Sequence, residues 1–344
     1  MPSTSPSSLA DKAPSITPLI EMLALDIAKV NETILARMAS DVPLIPQLAG
    51  HLIASGGKRI RPMMTIAGAI LASGDADKRA PAIKLATAVE FIHSATLLHD
   101  DVIDESELRR GQDTANALWG NDASVLVGDF LFARAFELMV EAGNIAVLGR
   151  LASASAHITE GEIKQMTITG APDTAMDDYL EVISGKTAIL FAAAAAAGAE
   201  VTGGDLDAVD AMHSYGMHLG MAFQIMDDAL DYSADAVDMG KNTGDDFTDQ
   251  KITLPVILAW RDGSKDERDF WQRTLGDADF QEGDLQQAQQ ILIRHAAISR
   301  SMAIAADYAK NAGVALAPFY DDERTLPLAR ALDEAARFAA YRTS

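Results

Sequence analysis

From about Ile16 onward the apolar residues recur at three- and four-residue spacing, and alternating β-branched runs are scarce. Leu85, Ala88, Val89 and Ile92, continuing to Ala95 and Thr96, form one helical stripe. Ile183, Thr187, Leu190 and Ala194 form another, which runs through alanines 192–197 to Gly198, where a helix stop is expected. Ala, Leu and Met, all strong helix formers, abound. Breaks are predicted at 74–78, 143–144, 170–172, 203–205, 233–246 and 262–265, where Gly, Pro and acidic residues cluster. No fixed-period repeat and no long linker divides the chain, so the pattern predicts one all-α domain over residues 17–344. A Ser- and Pro-rich lead, residues 1–16, precedes it and is expected to be disordered; it lacks the apolar core of a signal peptide. The longest uncharged apolar stretches, 62–74, 187–199 and 211–226, fall short of the ~18–20 residues of a membrane span, so an integral membrane protein is not expected.

Composition narrows the chemistry. Of 344 residues, 28 are Lys or Arg and 50 are Asp or Glu, a formal charge of −22, which argues against nucleic acid as a partner. On charge alone an anionic substrate is also disfavoured. The absence of cysteine excludes disulfides, thiolate nucleophiles and Cys-ligated metals, and it fits a reducing cytoplasm.

Two acidic clusters stand out. Asp100-Asp101-x-x-Asp104 ends one apolar helical run, and Asp227-Asp228-x-x-Asp231 ends another. Residues four apart share a helix face, and like charges there cost a few tenths of a kcal/mol, so each cluster calls for a cation. Hard carboxylate oxygens suit Mg2+, which keeps several waters and completes its shell with phosphate. A solvated acidic helix end is the plainer reading of either cluster alone; the repeated spacing disfavours it for both. An EF-hand does not fit, because Ala236 and Asn242 stand where its loop needs Gly and Glu.

Cations accompany these acids. Gly56-Gly57-Lys58-Arg59-Ile60-Arg61-Pro62 enters a helix, where backbone N–H groups add to a field suited to anions. Arg109-Arg110 follows Asp104 about one helical turn further along and offers bidentate forks for phosphate. Lys186, Lys241 and Lys251 are isolated cations, each an ordinary surface lysine if taken singly. Neither Lys186 nor Lys241 completes a Walker A loop. His93, two turns before Asp100, is a candidate phosphate donor, and His99 a candidate partner of Asp100.

GGKRIRP (56–62), FIHSATLLHDDVIDESELRRG (91–111), VLVGDFLFARAF (125–136), GKTA (185–188), GMAFQIMDDALDY (220–232) and GKNTGDD…KITLP (240–255) together resemble the trans-isoprenyl diphosphate synthase (polyprenyl synthetase) family, and within it the bacterial octaprenyl/decaprenyl type. The resemblance covers about residues 20–340. It implies an isoprenoid-synthase bundle of helices around a deep cavity, with the two aspartate motifs facing each other at its mouth. It implies that Asp100, Asp101, Asp104, Asp227, Asp228 and Asp231 hold up to three Mg2+. Arg109, Lys186, Thr187, Gln224, Lys241 and Lys251 would bind the allylic diphosphate (farnesyl or geranyl), and Lys58, Arg61, His93 and Arg110 isopentenyl diphosphate. Asp100, Asp104, Asp227, Lys186 and Arg109 would carry the catalysis. Asp249-Gln250 replaces the Glu-Gly common before the last lysine, which makes Lys251 the least secure placement.

The reaction implied is repeated addition of isopentenyl diphosphate to an allylic primer. Ala95, five residues before Asp100, would leave the cavity open where an aromatic residue would cap it, which favours a C40–C50 product serving as a quinone side chain. A homodimer is also implied. A short-chain geranylgeranyl or farnesyl synthase, a non-catalytic subunit of a heteromeric synthase and an acidic helical scaffold are the alternatives. The retained motifs and cations disfavour the last two.

Overall fold

The computed structural model describes residues 13–54, 57–73, 79–109, 111–233 and 244–341, and these are helical almost throughout. In chain order the helices are α1 (Thr17–Arg37), α2 (Leu44–Ala54), α3 (Ile60–Ser73), α4 (Arg79–Ile103), α5 (Ala115–Trp119), α6 (Asn121–Glu141), α7 (Ile145–Ile168) and α8 (Met176–Ile183). There follow α9 (Ile189–Val201), α10 (Leu206–Asp231), α11 (Asp245–Thr248), α12 (Leu254–Asp262), α13 (Lys265–Trp271), α14 (Asp284–Arg294), α15 (Ala297–Ala315) and α16 (Leu326–Tyr341). Of the expected breaks, 143–144, 170–172, 203–205 and 262–265 fall between helices, while 74–78 and most of 233–246 (234–243) lie outside the described residues. Local chemistry sets several starts: Asn144 accepts from the N–H groups of Ala146 and Val147, Asp205 from Ala208, and Ser264 with Glu267 forms a capping box.

The lead gives way to structure earlier than expected. Ser15 N–H donates to Glu334 at 3.2 Å, and Ile16 is buried. Residues 1–12 lie outside the described ones.

Helix α9 is buried on every side from Leu190 to Ala199, as an all-apolar helix must be. Gly198 does not stop it. A Cβ on Gly198 would lie 1.8 Å from Thr65 O and one on Gly68 2.2 Å from Ala195 O, so these glycines let α3 and α9 pack backbone to backbone. The span 176–201 is, by length and composition, apolar enough to cross a membrane, which the count of uncharged residues alone missed. Its apolar window is 78% buried inside the molecule, so its partners here are other helices.

Two apolar clusters meet along α10. Met212, Tyr215 and Leu219 belong to the one shared with α1, α3, α4, α6, α7 and α9, while Ile225, Met226 and Leu230 belong to the other, shared with α12–α15.

Two local departures from regular helix matter for the site. The stripe through Thr187 is interrupted by a wide π turn, Ser184–Ala188. Past Asp104 the chain leaves the helix, with Glu105 at φ 50°, and folds into a two-residue antiparallel hairpin in which Arg109 pairs with Gln112. Arg109 is therefore not a further turn along α4.

Candidate active site

Each acidic motif sits at the C-terminal end of its helix, α4 or α10, where the helix dipole adds to carboxylate repulsion. Between them opens a cavity of about 760 Å3 whose wall includes Asp100, Asp227, Lys186 and Arg109. Lys58, Arg61 and His93 line it as well, together with Thr187 and Gln224. Leu97, Ile158, Phe191, Leu219 and Phe223 make it apolar below the charged groups.

The middle aspartate of each motif turns away from this space. Asp101 is buried and clamped by Arg109, whose Nη2 and Nε lie 2.7 and 3.0 Å from Oδ1. Asp228 is buried and accepts from Tyr179 Oη at 2.6 Å and from Gln224 Nε2 at 2.7 Å. Gln224 in turn accepts from Thr187 Oγ1 at 2.9 Å. Asp104 meets Lys251 at 3.0 Å, and Asp231 accepts from the Asp246 N–H at 3.1 Å.

Burial governs the acidities. It pushes Asp100 up to about 7, with Glu162 and Asp104 adding repulsion against the pull of Lys186 and Arg109. Asp228 and Asp231 are each pushed up to about 6, burial outweighing the hydrogen bonds they accept. Burial lowers Arg61 to about 10. Lys251 is raised: burial opposes this, but Asp104, Asp249 and Asp246 outweigh it.

Lys186 and Thr187, both in the π turn, line the cavity wall together. The backbone of this turn lies so close to α7 that a Cβ on Gly161 would be 2.5 Å from Lys186 N. Arg61, in the first turn of α3, stacks over the Phe191 ring at 4.3 Å and meets His93 Nε2 at 3.0 Å. Lys58 lies over Phe338 of α16 at 5.1 Å.

Similarity to known proteins gives the family. The polyprenyl synthetase family model matches residues 42–292. The chain belongs to that family. The octaprenyl diphosphate synthase of Haemophilus influenzae is 46% identical over 250 residues, 73% of this chain and 75% of that one. A decaprenyl diphosphate synthase structure from Rhodobacter capsulatus matches at TM-score 0.89 and 46% identity, covering 96% of this chain and 100% of that one. A Caulobacter crescentus polyprenyl synthase, solved with calcium and isoprenyl diphosphate, matches at TM-score 0.91 and 48% identity, covering 97% and 100%. The all-α fold, the prenyltransferase class and the long-chain activity expected from the motifs agree with these polyprenyl synthetases.

Some residues of this polyprenyl synthetase stand elsewhere than the sequence implied. Arg110 and Lys241 lie outside the described residues. His99 does not support Asp100; its Nε2 lies 3.2 Å from Val125 O and its ring stacks on Phe132, so it ties α4 to α6. Ala95 is fully buried in the core with Ile92 and Leu98, and the cavity wall at that level is Thr96 and Leu97, one and two residues further round α4. The stripe that predicts α4 is thus buried core as far as Ala95, and its last member, Thr96, lines the cavity. Sequence reading missed Glu162, Glu90, Arg59 and Tyr179. Arg59, at φ 50°, is tied to the buried Glu90, which holds the loop that presents Lys58 and Arg61. Only the adjacency of Arg59 to two candidate cations marked it.

Proposed function

We propose that this cavity builds long all-trans polyprenyl diphosphates by adding isopentenyl diphosphate stepwise to an allylic diphosphate. The observation that carries this reading is one cavity with carboxylates and cations at its mouth and aromatic and aliphatic side chains beneath. A −22 chain would repel diphosphate, so the acids need a cation, and the Asp100 and Asp227 carboxylates in one cavity wall are fitting donors for a hard divalent ion. Asp100, Asp104, Asp227 and Asp231 would hold Mg2+, up to three ions, whose bound charge stabilises the diphosphate as it leaves. Asp101 and Asp228 belong to that set through the residues that fix the motifs rather than as outward ligands. Lys186, Arg109, Thr187 and Gln224, with Lys241 and Lys251, orient the allylic diphosphate and meet the charge that develops on it. Lys58, Arg61 and His93, with Arg110, hold isopentenyl diphosphate. Leu97, Ile158, Phe191 and Phe223 keep water from the allylic cation until the double bond attacks it and a proton is lost. No side-chain nucleophile is required.

The protein acts as a homodimer in this reading, and its face is α6. Leu126, Ala133 and Val140 recur there at helical spacing, with Val125 and Phe136 beside them, all exposed on the side away from the core. A C40–C50 product fits the side chain of a quinone. Incubation with farnesyl and isopentenyl diphosphates and Mg2+, with sizing of the dephosphorylated products, is the test. Products of C20 or shorter, or no metal-dependent incorporation, would reject it.

A further inference from the structure

Glu162 is a carboxylate in the wall of a pocket read as binding diphosphates, where its charge is unfavourable to the ligand. It stands on α7, and both of its oxygens grip one partner: Lys186 Nζ lies 2.8 Å from Oε1 and 2.9 Å from Oε2. The side chains are only 20% and 23% exposed, so the pair is poorly screened. The approach is built into the backbone, because the missing side chain of Gly161 lets α7 touch the π turn at Lys186 itself. Asp100 completes the group, since both Glu162 and Lys186 act on it electrostatically. Without Glu162 the Lys186 ammonium keeps the Asp100 carboxylate, in the same cavity wall, as a negative charge within electrostatic reach. Lys186 would then occupy Asp100 instead of facing a diphosphate.

We propose that Glu162 is a positioning residue: it holds the Lys186 ammonium beside Asp100 without letting it collapse onto that carboxylate. Lys186 is thereby kept as a donor to the allylic diphosphate, and Asp100 is kept available to a cation. The inference rests on the reading of Lys186 as an allylic diphosphate ligand. It assigns Glu162 no contact with substrate.

A double-mutant cycle tests it, with binding of farnesyl thiodiphosphate, an analogue that resists ionisation, measured by calorimetry in Mg2+. Glu162→Ala should weaken binding roughly tenfold in the parent protein. It should change binding by no more than about twofold once Lys186→Ala is present. Glu162→Gln keeps a carbonyl acceptor for the ammonium and should recover most of the loss. The KM for isopentenyl diphosphate should stay within about twofold in Glu162→Ala, which general damage to the fold would not spare. Equal losses in both backgrounds, or tighter binding in Glu162→Ala, would overturn the inference. Unchanged binding in Lys186→Ala would overturn the ligand assignment beneath it.

Discussion

Lys251 Nζ lies 3.0 Å from Asp104 Oδ2 and 3.0 Å from Asp249 Oδ2, so one ammonium joins the end of the first acidic motif to the segment that follows the second. The two motifs are 127 residues apart from Asp100 to Asp227, yet this contact closes the rim between them. It also gives the least secure cation of the sequence a definite partner in the first acidic motif.

The Lys251–Asp104 pair is partly exposed, at 22% and 27%, and such pairs contribute only ~0–1 kcal/mol to stability. Lys251→Ala should therefore leave the melting temperature nearly unchanged, while kcat/KM for the allylic substrate falls by about tenfold or more. A value within twofold of the parent would remove Lys251 from the diphosphate site.

Tyr179 donates to the Asp228 carboxylate, and both side chains are buried. Tyr179→Phe should cost about 1–3 kcal/mol in urea denaturation, because Asp228 loses a donor. The effect should shrink in an Asp228→Asn background, where no buried charge remains to satisfy. An undiminished cost there would show that the ring, not the hydroxyl, carries the contribution.

Proton linkage follows from Asp100 near 7 and from Asp228 and Asp231 near 6, each raised from 3.8 with burial as the first cause. A carboxylate whose folded pKa lies above its unfolded one binds more protons in the folded state. The metal-free protein should accordingly gain stability as pH falls from about 8 to about 6. A divalent cation needs these groups ionised, so saturating Mg2+ should flatten or reverse that slope, and metal affinity should fall below about pH 7. Melting curves across this range, with chelator and with Mg2+, decide it. A metal-free protein that grows more stable between pH 6 and 8 would contradict the assignment.

Product length should respond to the cavity wall rather than to the buried Ala95. Thr96 lines the cavity and Ala95 does not. Thr96→Phe should shorten the products, whereas Ala95→Phe should chiefly overpack the core at about 1–3 kcal/mol. Sizing the products of both variants beside their melting temperatures separates the two positions. Shorter products from Ala95→Phe alone would restore Ala95 as the length-setting residue.

The sequence by itself determined the all-α class, several of the helix breaks and the two acidic motifs with their cations. Each of these is local: the three- and four-residue apolar spacing, the turn residues and the i, i+4 carboxylates act within a few residues of one another. Only the tertiary structure decided which aspartates face the cavity. Asp101 and Asp228 read like their neighbours, but Arg109 on a hairpin and Tyr179 on α8 turn them inward. Gly198 read as a stop until α3 packed against it, and Glu162 read as one of fifty acids until a π turn brought Lys186 to it. These outcomes depend on partners up to 133 residues away in the chain, and no local spacing encodes which side chain will be waiting there.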